Sequence, residues 1–108
     1  MDRFSEMRAF AQVMEQRCFS SAAETLGLSK GSVSKQVASL ERRLGLSLFE
    51  RTTRQVTPTD EGRVYYDRAR QILDETARAD LIARAMKRAS SDGETLRILA
   101  EPELVDHV

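Results

Sequence analysis

A chain of 108 residues is long enough for one small domain with a modest hydrophobic core and some additional segments. Its one cysteine and one histidine exclude an internal disulfide framework and a conventional metal site with several ligands. The formal net charge is zero, yet residues 28–58 hold six basic and two acidic residues, and this local excess favours a nucleic-acid partner.

Targeting signals and catalytic constellations are both missing from the sequence. The first four residues are amphipathic rather than typical of a signal peptide, and no apolar run approaches membrane-spanning length. We therefore expect a cytoplasmic protein without a membrane partner. The sequence has no nucleophile–base pair, phosphate-binding loop or ligand cluster, so we expect no enzyme activity, no catalytic residues, no metal and no cofactor.

Apolar residues at three- and four-residue steps predict a first amphipathic helix over about 3–16. The steps are marked by Phe4, Met7, Ala11 and Met14. Asp2 or Ser5 is the expected N-cap of this helix.

A short second helix is predicted to end at Gly27, which suits a left-handed C-cap. Ser21 with Glu24 fits a reciprocal capping box at its start, and Ser20 is the competing N-cap. Small residues on its inward face, Ala22 and Ala23, allow another helix to approach closely. Cys18, just before this helix, is expected to be a buried small apolar residue, because a redox role would need a second thiol.

A third helix is predicted over about 30–44, with Ser29 as its N-cap and Gly45 at its end. Its apolar stripe consists of Val33, Val37, Leu40 and Leu44. The opposite face is small and polar near its N-terminal end and basic further along. It holds Gly31, Lys35, Ala38 and Arg42, and Ser34 and Ser39 flank it. Such a face is typical of a helix that enters a groove with base edges close by. Two helices joined at residues 27–29 thus predict a helix-turn-helix with 30–44 as its reading helix.

A hairpin with a basic turn follows the third helix. Residues 46–49 are predicted to form its first strand, with alternate apolar residues inward, and residues 55–57 its second strand. Arg51 and Arg54 flank the turn, where they are interpreted as phosphate or minor-groove contacts. The alternative is a solvated hairpin in which Arg51 pairs with Glu50. Arg42 and Arg43 are expected to be solvated or ion-paired with Glu41 or Glu50.

A long helix is predicted over 59–90, beginning after Pro58 with Thr59 or Thr57 as its cap. A stripe with a period of 3.5 residues runs along it and predicts pairing with a second copy of the chain. The stripe comprises Tyr65, Ala69, Ile72, Thr76, Ala79, Ala83 and Met86. Packing on the chain's own domain is the alternative for the start of the stripe, around Tyr65 and Ala69. Residues 90–93 are predicted to form a linker, and residues 95–100 a strand.

With these elements in place, the chain resembles the N-terminal part of the LysR-type transcriptional regulators over about residues 1–100. The positions that carry the resemblance are Phe19, Ser20, Ala22, Ala23, Leu26, Leu28, Ser29, Val33, Ser34, Leu40, Glu41, Leu44, Gly45, Leu48, Phe49, Arg51, Thr59 and Gly62. The resemblance implies a mainly α fold, a winged helix-turn-helix of three helices and a two-stranded wing, followed by a long dimerisation helix. It also implies a two-lobed effector domain in the intact protein, which would form a tetramer and respond to a small-molecule inducer.

On this interpretation, residues 1–58 form the DNA-binding domain, 59–90 the dimerisation helix, and 91–108 a linker with the first strand of a truncated effector domain. The partner is double-stranded DNA, read by a homodimer at an interrupted inverted repeat. The predicted DNA-binding residues are Ser20, Ser21, Ser29, Lys30, Gly31, Ser32, Ser34, Lys35, Arg51, Thr52, Thr53 and Arg54. A winged-helix module that binds another protein is the alternative function.

The chain departs from the common family pattern where bases would be read. The family often has Gln-Pro after the capping serine, where this chain has Lys30 and Gly31. It often has arginine where this chain has Lys35, and lysine lacks the planar fork that makes a bidentate contact with guanine.

Overall fold

The computed structural model describes residues 2–51 and 55–92, which form four helices and a two-stranded wing. The elements are α1 (Arg3–Gln16), α2 (Phe19–Leu26), α3 (Lys30–Leu44), β1 (Phe49–Arg51), β2 (Val56–Pro58) and α4 (Asp60–Asp92). The fold is the expected winged helix-turn-helix followed by a long helix. The predicted linker at residues 90–93 is wrong for its first three positions, because α4 continues to Asp92. The predicted turn residues 52–54, residue 93 and the strand predicted at 95–100 lie outside the described residues, so those predictions stay predictions.

The chain divides into two compact units, Met1–Ile72 and Leu73–Val108. The first unit contains α1 to α3, the wing and the first turns of α4. The predicted limits at residues 58 and 90 follow changes in sequence character and remain a prediction.

Helix α1 begins and ends as its sequence predicts. The Asp2 carboxylate accepts a hydrogen bond from the Ser5 amide at 2.7 Å, which satisfies one of the otherwise free donors of the first turn. This bond and a second one from the Ser5 hydroxyl lower the pKa of Asp2 below its ordinary value. The helix ends at Arg17, whose left-handed backbone (φ 54°) lets its amide donate to the Val13 carbonyl.

The start of α2 corrects two sequence predictions. Its N-cap is Cys18, not Ser20 or Ser21, and the Ser21 amide donates to the Cys18 Sγ at 3.5 Å. Cys18 is half-buried rather than buried. The helix begins earlier than predicted because Phe19, its first residue, packs against the core and lies with its ring centroid 6.2 Å from that of Phe49. At the other end Gly27 adopts the predicted left-handed conformation, with φ 70°.

Helix α3 matches its prediction at both ends. The Ser29 hydroxyl accepts from the Ser32 amide at 3.1 Å, and Gly45 ends the helix with φ 71°. Val33, Val37 and Leu40 are fully buried, so the apolar stripe faces the core as expected. Leu44, the last member of the stripe, is half-buried.

The core of the first unit is centred on Phe10 of α1. The Phe10 ring centroid lies 5.5 Å from that of Phe49 and 5.4 Å from that of Tyr65, so one aromatic side chain joins α1 to the wing and to α4. Aromatic pairs in such tilted or edge-on arrangements contribute roughly 0.5–1.5 kcal/mol beyond the area that they bury. These contacts bring the wing and the start of α4 against the helix-turn-helix.

The wing begins later than the sequence pattern predicts. Its antiparallel register pairs Phe49 with Pro58 and Arg51 with Val56, so residues 46–48 lie outside the first strand and Pro58 is the last residue of the second. Proline is tolerated there because each strand of a two-stranded sheet has an open edge. Leu48 is buried as predicted, but Leu46 is 44% exposed, because a turn rather than a strand carries it.

Helix α4 begins with a cap that also fastens it to the wing. The Thr59 hydroxyl accepts from the Gly62 amide at 2.9 Å and donates to the Ser47 carbonyl at 2.6 Å, while the Thr59 amide donates to the Leu48 carbonyl at 3.0 Å. Thr59, not Thr57, is therefore the cap. Within residues 2–51 and 55–92, no helix is both long and apolar enough to cross a membrane.

Candidate nucleic-acid interface

The N-terminal half of α3 presents the surface that the sequence predicts. Ser29, Lys30, Gly31 and Lys35 are exposed, and Ser32 and Ser34 are half-buried. A Cβ built on Gly31 would lie 4.0 Å from the Ser29 hydroxyl oxygen, which is an ordinary van der Waals distance. Small side chains flanked by two lysines leave room for base edges and supply charge for a polyanion.

Ser39, which flanks this outward face in the sequence pattern, is directed toward α1 in the structure. Its hydroxyl donates to a Glu6 carboxylate oxygen at 2.5 Å. Arg43 donates to the other oxygen of Glu6, so it is ion-paired as expected, but with Glu6 and not with Glu41 or Glu50. Glu6 is only 2% exposed, so this cluster fixes the back of α3 to α1. Arg42 is exposed, as expected for a solvated residue.

Burial and hydrogen bonding act on the pKa of Glu6 in opposite directions. Burial raises the pKa, but the bonds from Arg43 and Ser39 and the charge of Arg43 outweigh it, so the pKa lies below the ordinary value of 4.5. Glu6 is therefore ionised at neutral pH. The sequence contains a signal for this role, since Glu6 precedes Phe10 by four residues and Val13 by seven, which places an acid on the buried face of α1.

A pocket of about 190 Å³ lies beside the start of α3 and is lined by residues from α2, α3, β2 and the turn between α1 and α2. Its lining residues are Arg17, Cys18, Phe19, Ser20, Lys30 and Val56. The first turn of α2 thus shares one surface with Lys30 of α3. Backbone amides of a helix N-terminus next to two cations form a surface suited to phosphate. Arg17 was not among the predicted DNA-binding residues, and only the tertiary structure brings it here.

Cys18 lies in the wall of this pocket, beside Ser20 and Lys30. Hydrogen bonds from the Ser21 side chain and amide, together with the Lys30 charge, lower the pKa of the Cys18 thiol below its ordinary value of 9.0. Ser21 itself is half-buried in the first turn of α2, where its amide is taken by Cys18. Of the two predicted serines, Ser20 is the exposed one.

The wing arginine Arg51 forms an ion pair, but with another residue than the Glu50 of the alternative interpretation. Its guanidinium lies 2.8 Å from a carboxylate oxygen of Glu41 on α3, not beside Glu50, and 5.8 Å from the ring centroid of Phe19. The side chain of Arg51 is 51% exposed. The other three predicted wing residues, Thr52, Thr53 and Arg54, lie outside the described residues.

The predicted dimerisation stripe divides into a buried part and an exposed part. Ala69 is fully buried and Tyr65 packs against the core of the first unit, which agrees with the alternative that the start of the stripe faces the chain's own domain. Ile72 is 47% exposed. The members of the stripe in the second unit, Thr76, Ala79, Ala83 and Met86, are also exposed. Leu81, which the pattern does not include, is 61% exposed.

The described residues hold no group of three or more histidine, cysteine, aspartate or glutamate side chains that could bind a metal ion. What they do hold is an exposed helix face with small and basic side chains, next to a basic pocket. Their chemistry suits contact with a nucleic acid backbone and with base edges.

Comparison with known proteins identifies relatives of this domain. The model of the family described as "Bacterial regulatory helix-turn-helix protein, lysR family" matches residues 4–63. The HTH-type transcriptional regulator CrgA of Neisseria meningitidis is 47% identical over 75 residues, which cover 69% of this chain and 25% of CrgA. An uncharacterised HTH-type transcriptional regulator of Escherichia coli, YhjC, is 45% identical over 80 residues, covering 74% of this chain and 27% of YhjC. The chain thus spans about a quarter of the length of these relatives.

Solved structures agree with the sequence comparison. The BenM_DBD/catB site 1 DNA complex matches with a TM-score of 0.69 and 33% identity, covering 84% of this chain and 97% of the BenM chain. The CbnR_DBD–DNA complex matches with a TM-score of 0.70 and 31% identity, covering 81% of this chain and 99% of the CbnR chain.

Proposed function

Because the chain belongs to the lysR family of bacterial regulatory helix-turn-helix proteins, we propose that its winged helix-turn-helix reads double-stranded DNA and that the intact protein regulates transcription. One observation carries the proposal. The apolar stripe of α3 is buried, while its N-terminal half exposes Lys30, Gly31 and Lys35 beside the basic pocket. Similarity to domains solved in complexes with DNA supports the proposal.

The proposed contacts with DNA are of two kinds, those with base edges and those with phosphates. Lys30, Ser32, Ser34 and Lys35 reach the base edges of the major groove, because N-terminal residues of a reading helix lie closest to them. Ser20, Ser21 and Ser29 lie at helix N-termini, where backbone amides bind phosphate. We add Arg17 to this second group, since it shares the pocket with Ser20 and Lys30. Phosphate contacts set the position on the duplex, and base contacts set the sequence.

A homodimer carries two reading helices to an interrupted inverted repeat. The exposed part of the α4 stripe, from Ile72 to Met86, forms the contact between the two copies. The two-fold symmetry of such a dimer imposes the same symmetry on the site that it reads. In the intact protein we propose a tetramer that responds to a small-molecule inducer through an effector domain.

A selection of bound sequences from random duplex DNA tests this function. We expect an enriched, inverted-repeat sequence, and binding to it that weakens steeply with salt. Each phosphate neutralised adds about 0.9 to the slope of the logarithm of affinity against the logarithm of salt concentration. A protein-interaction module, the alternative, predicts no detectable duplex binding at low salt, and that result would remove the DNA-reading proposal. Enrichment of a single half-site would remove only the dimeric mode.

A further inference from the structure

The Glu41 carboxylate on α3 accepts hydrogen bonds from three donors in the first wing strand and the turn before it. One oxygen accepts from the Leu48 amide at 2.7 Å and from the Phe49 amide at 3.2 Å, and the other lies 2.8 Å from the Arg51 guanidinium. The Glu41 side chain is only 14% exposed. The reading helix and the wing are therefore joined by one well-shielded carboxylate.

Arg51 extends this connection to α2. Its guanidinium lies over the Phe19 ring with 5.8 Å to the centroid, while Glu41 holds it through an ion pair. A planar guanidinium suits both partners at once, since it donates to a carboxylate in its plane and stacks on an aromatic face. The strands of the wing are only three residues long, so a ladder of that length gives the wing little stiffness of its own.

We propose that Glu41 and Arg51 are positioning residues, which hold the wing in a fixed place against the reading helix, and that Arg51 neutralises no phosphate itself. The sequence pattern interprets Arg51 as a phosphate contact, because a basic residue flanks the turn. In the structure the Arg51 guanidinium forms an ion pair with the Glu41 carboxylate instead. This inference rests on the proposed function, because a fixed wing matters for binding only if the wing meets DNA.

The experiment compares Glu41→Gln, Arg51→Met and the double variant, all in the full chain, on a selected duplex and on a random duplex. If both residues position the wing, each single variant lowers affinity for the selected duplex roughly tenfold, which is about 1.4 kcal/mol. The double variant should lose no more than the weaker single variant, because both substitutions break the same connection. The salt slope should stay at its wild-type value.

A direct phosphate contact predicts different results. Arg51→Met would then reduce the salt slope by about 0.9 in both the wild-type and Glu41→Gln backgrounds, and the two losses of affinity would multiply. Either result overturns the inference. Arg78→Met is the matched control, because Arg78 is similarly exposed at 57% and pairs with Glu75 on the surface of α4 at 3.7 Å. It should change neither affinity nor slope.

A measurement without DNA separates this inference from the proposed function. Amide hydrogen exchange at Leu48 and Phe49 should accelerate in Glu41→Gln and also in Arg51→Met, since loss of Arg51 frees the carboxylate to move. Unchanged exchange in Arg51→Met would contradict the positioning role even if DNA binding fell. If the wild-type chain binds no duplex but both variants exchange faster, the connection stands and the DNA-reading function fails.

Should Arg51→Met fold poorly, Arg51→Lys replaces it. A phosphate contact predicts nearly unchanged affinity for DNA in this variant, and a positioning role predicts a loss of affinity.

Discussion

Two carboxylates, those of Glu6 and Glu41, connect α3 to its neighbours from positions that are largely shielded from water. Glu6 binds Ser39 and Arg43 and fastens α3 to α1, while Glu41 binds the wing. Leaving one partner of a buried hydrogen-bonded pair without the other costs more than the pair contributes, because the remaining group stays desolvated. These two residues therefore constrain the reading helix more than any single exposed lysine does.

The Glu6 cluster predicts an acid-dependent loss of stability. The folded-state pKa of Glu6 lies below 4.5, so its contribution is fully present above that pH and is lost as the pH falls through the lowered value. Glu6→Gln should lower the free energy of unfolding at pH 7 by about 1.5–3 kcal/mol and should flatten its decline between about pH 5 and 3. Urea denaturation at several pH values measures both. Glu24→Gln is the control, since Glu24 is an exposed glutamate on the surface of α2, and it should leave the decline unchanged. An equally steep decline in Glu6→Gln would contradict the assignment.

Lys35 is exposed on the face of α3 that we assign to base contact. Lys35→Ala should weaken binding to the selected duplex more than binding to random duplex, by roughly 1 kcal/mol, the low end of the range for base contacts, because lysine lacks the fork of arginine. Parallel titrations on the two duplexes measure the difference. An equal loss on both, with a smaller salt slope, would make Lys35 a phosphate contact only. Arg84→Ala, on the exposed surface of α4, is a suitable control.

At the scale of elements, two features fix the helices in place: the N-caps at which they begin, and the points where a helix lies close to a neighbouring segment. Asp2 caps α1, Ser29 caps α3 and Thr59 caps α4, whereas the thiol of Cys18 caps α2. Gly62 lies at one such close approach, since a Cβ built there would lie 2.1 Å from the Leu48 carbonyl oxygen. Only glycine allows the first turn of α4 to approach the turn before β1 so closely.

Gly62 and Gly31 form a matched pair of helical glycines with opposite expectations. Gly62→Ala should destabilise the domain by about 1–3 kcal/mol or more, because the new methyl group meets backbone that cannot move aside. Gly31→Ala should be neutral or stabilise by up to about 1 kcal/mol, because alanine is the better helix former and the nearest atom lies 4.0 Å away. Thermal and chemical unfolding of both variants check the pair. A stable Gly62→Ala protein would contradict the packing argument.

At the scale of the whole molecule, α4 runs through both compact units. Its first part buries side chains in the core of the first unit, and its second part exposes apolar side chains. Within Met1–Ile72 it buries Ala69 and packs Tyr65 and Tyr66 against the core. Within Leu73–Val108 it exposes Leu81 and Met86. Exposed apolar side chains on a helix of this length favour pairing with a second copy of the chain.

The dimer proposal predicts that Ile72→Asp gives a monomer at concentrations where the wild-type chain is dimeric. A buried unpaired carboxylate at the contact would cost more than the apolar area contributes. Sedimentation velocity over a range of concentrations measures the change. Gln71→Asp places the same group on the neighbouring exposed position and should leave the dimer intact. A dimer that persists in Ile72→Asp would move the contact away from the predicted stripe.

Local sequence signals predicted the helices and the buried stripe of α3. The spacing of Val33, Val37 and Leu40 predicted the buried stripe of α3, and Ser29 and Gly45 marked its ends, as the structure confirms. The cap of α2 was mispredicted because Ser20 and Ser21 are better local caps than Cys18. The packing of Phe19 overrode that local preference.

The sequence by itself determined a winged helix-turn-helix with small and basic residues on α3, because helix period, caps and turns depend on residues close together in the chain. Only the tertiary structure decided the partners: Glu6 with Arg43, Glu41 with Arg51, and Gly62 with the Leu48 carbonyl. Each pair joins residues well apart in sequence. Several other acidic and basic residues lie near them in the chain and could have formed the same ion pairs. Packing around Phe10 and Phe49 selects among them, because it sets which side chains come within hydrogen-bond distance.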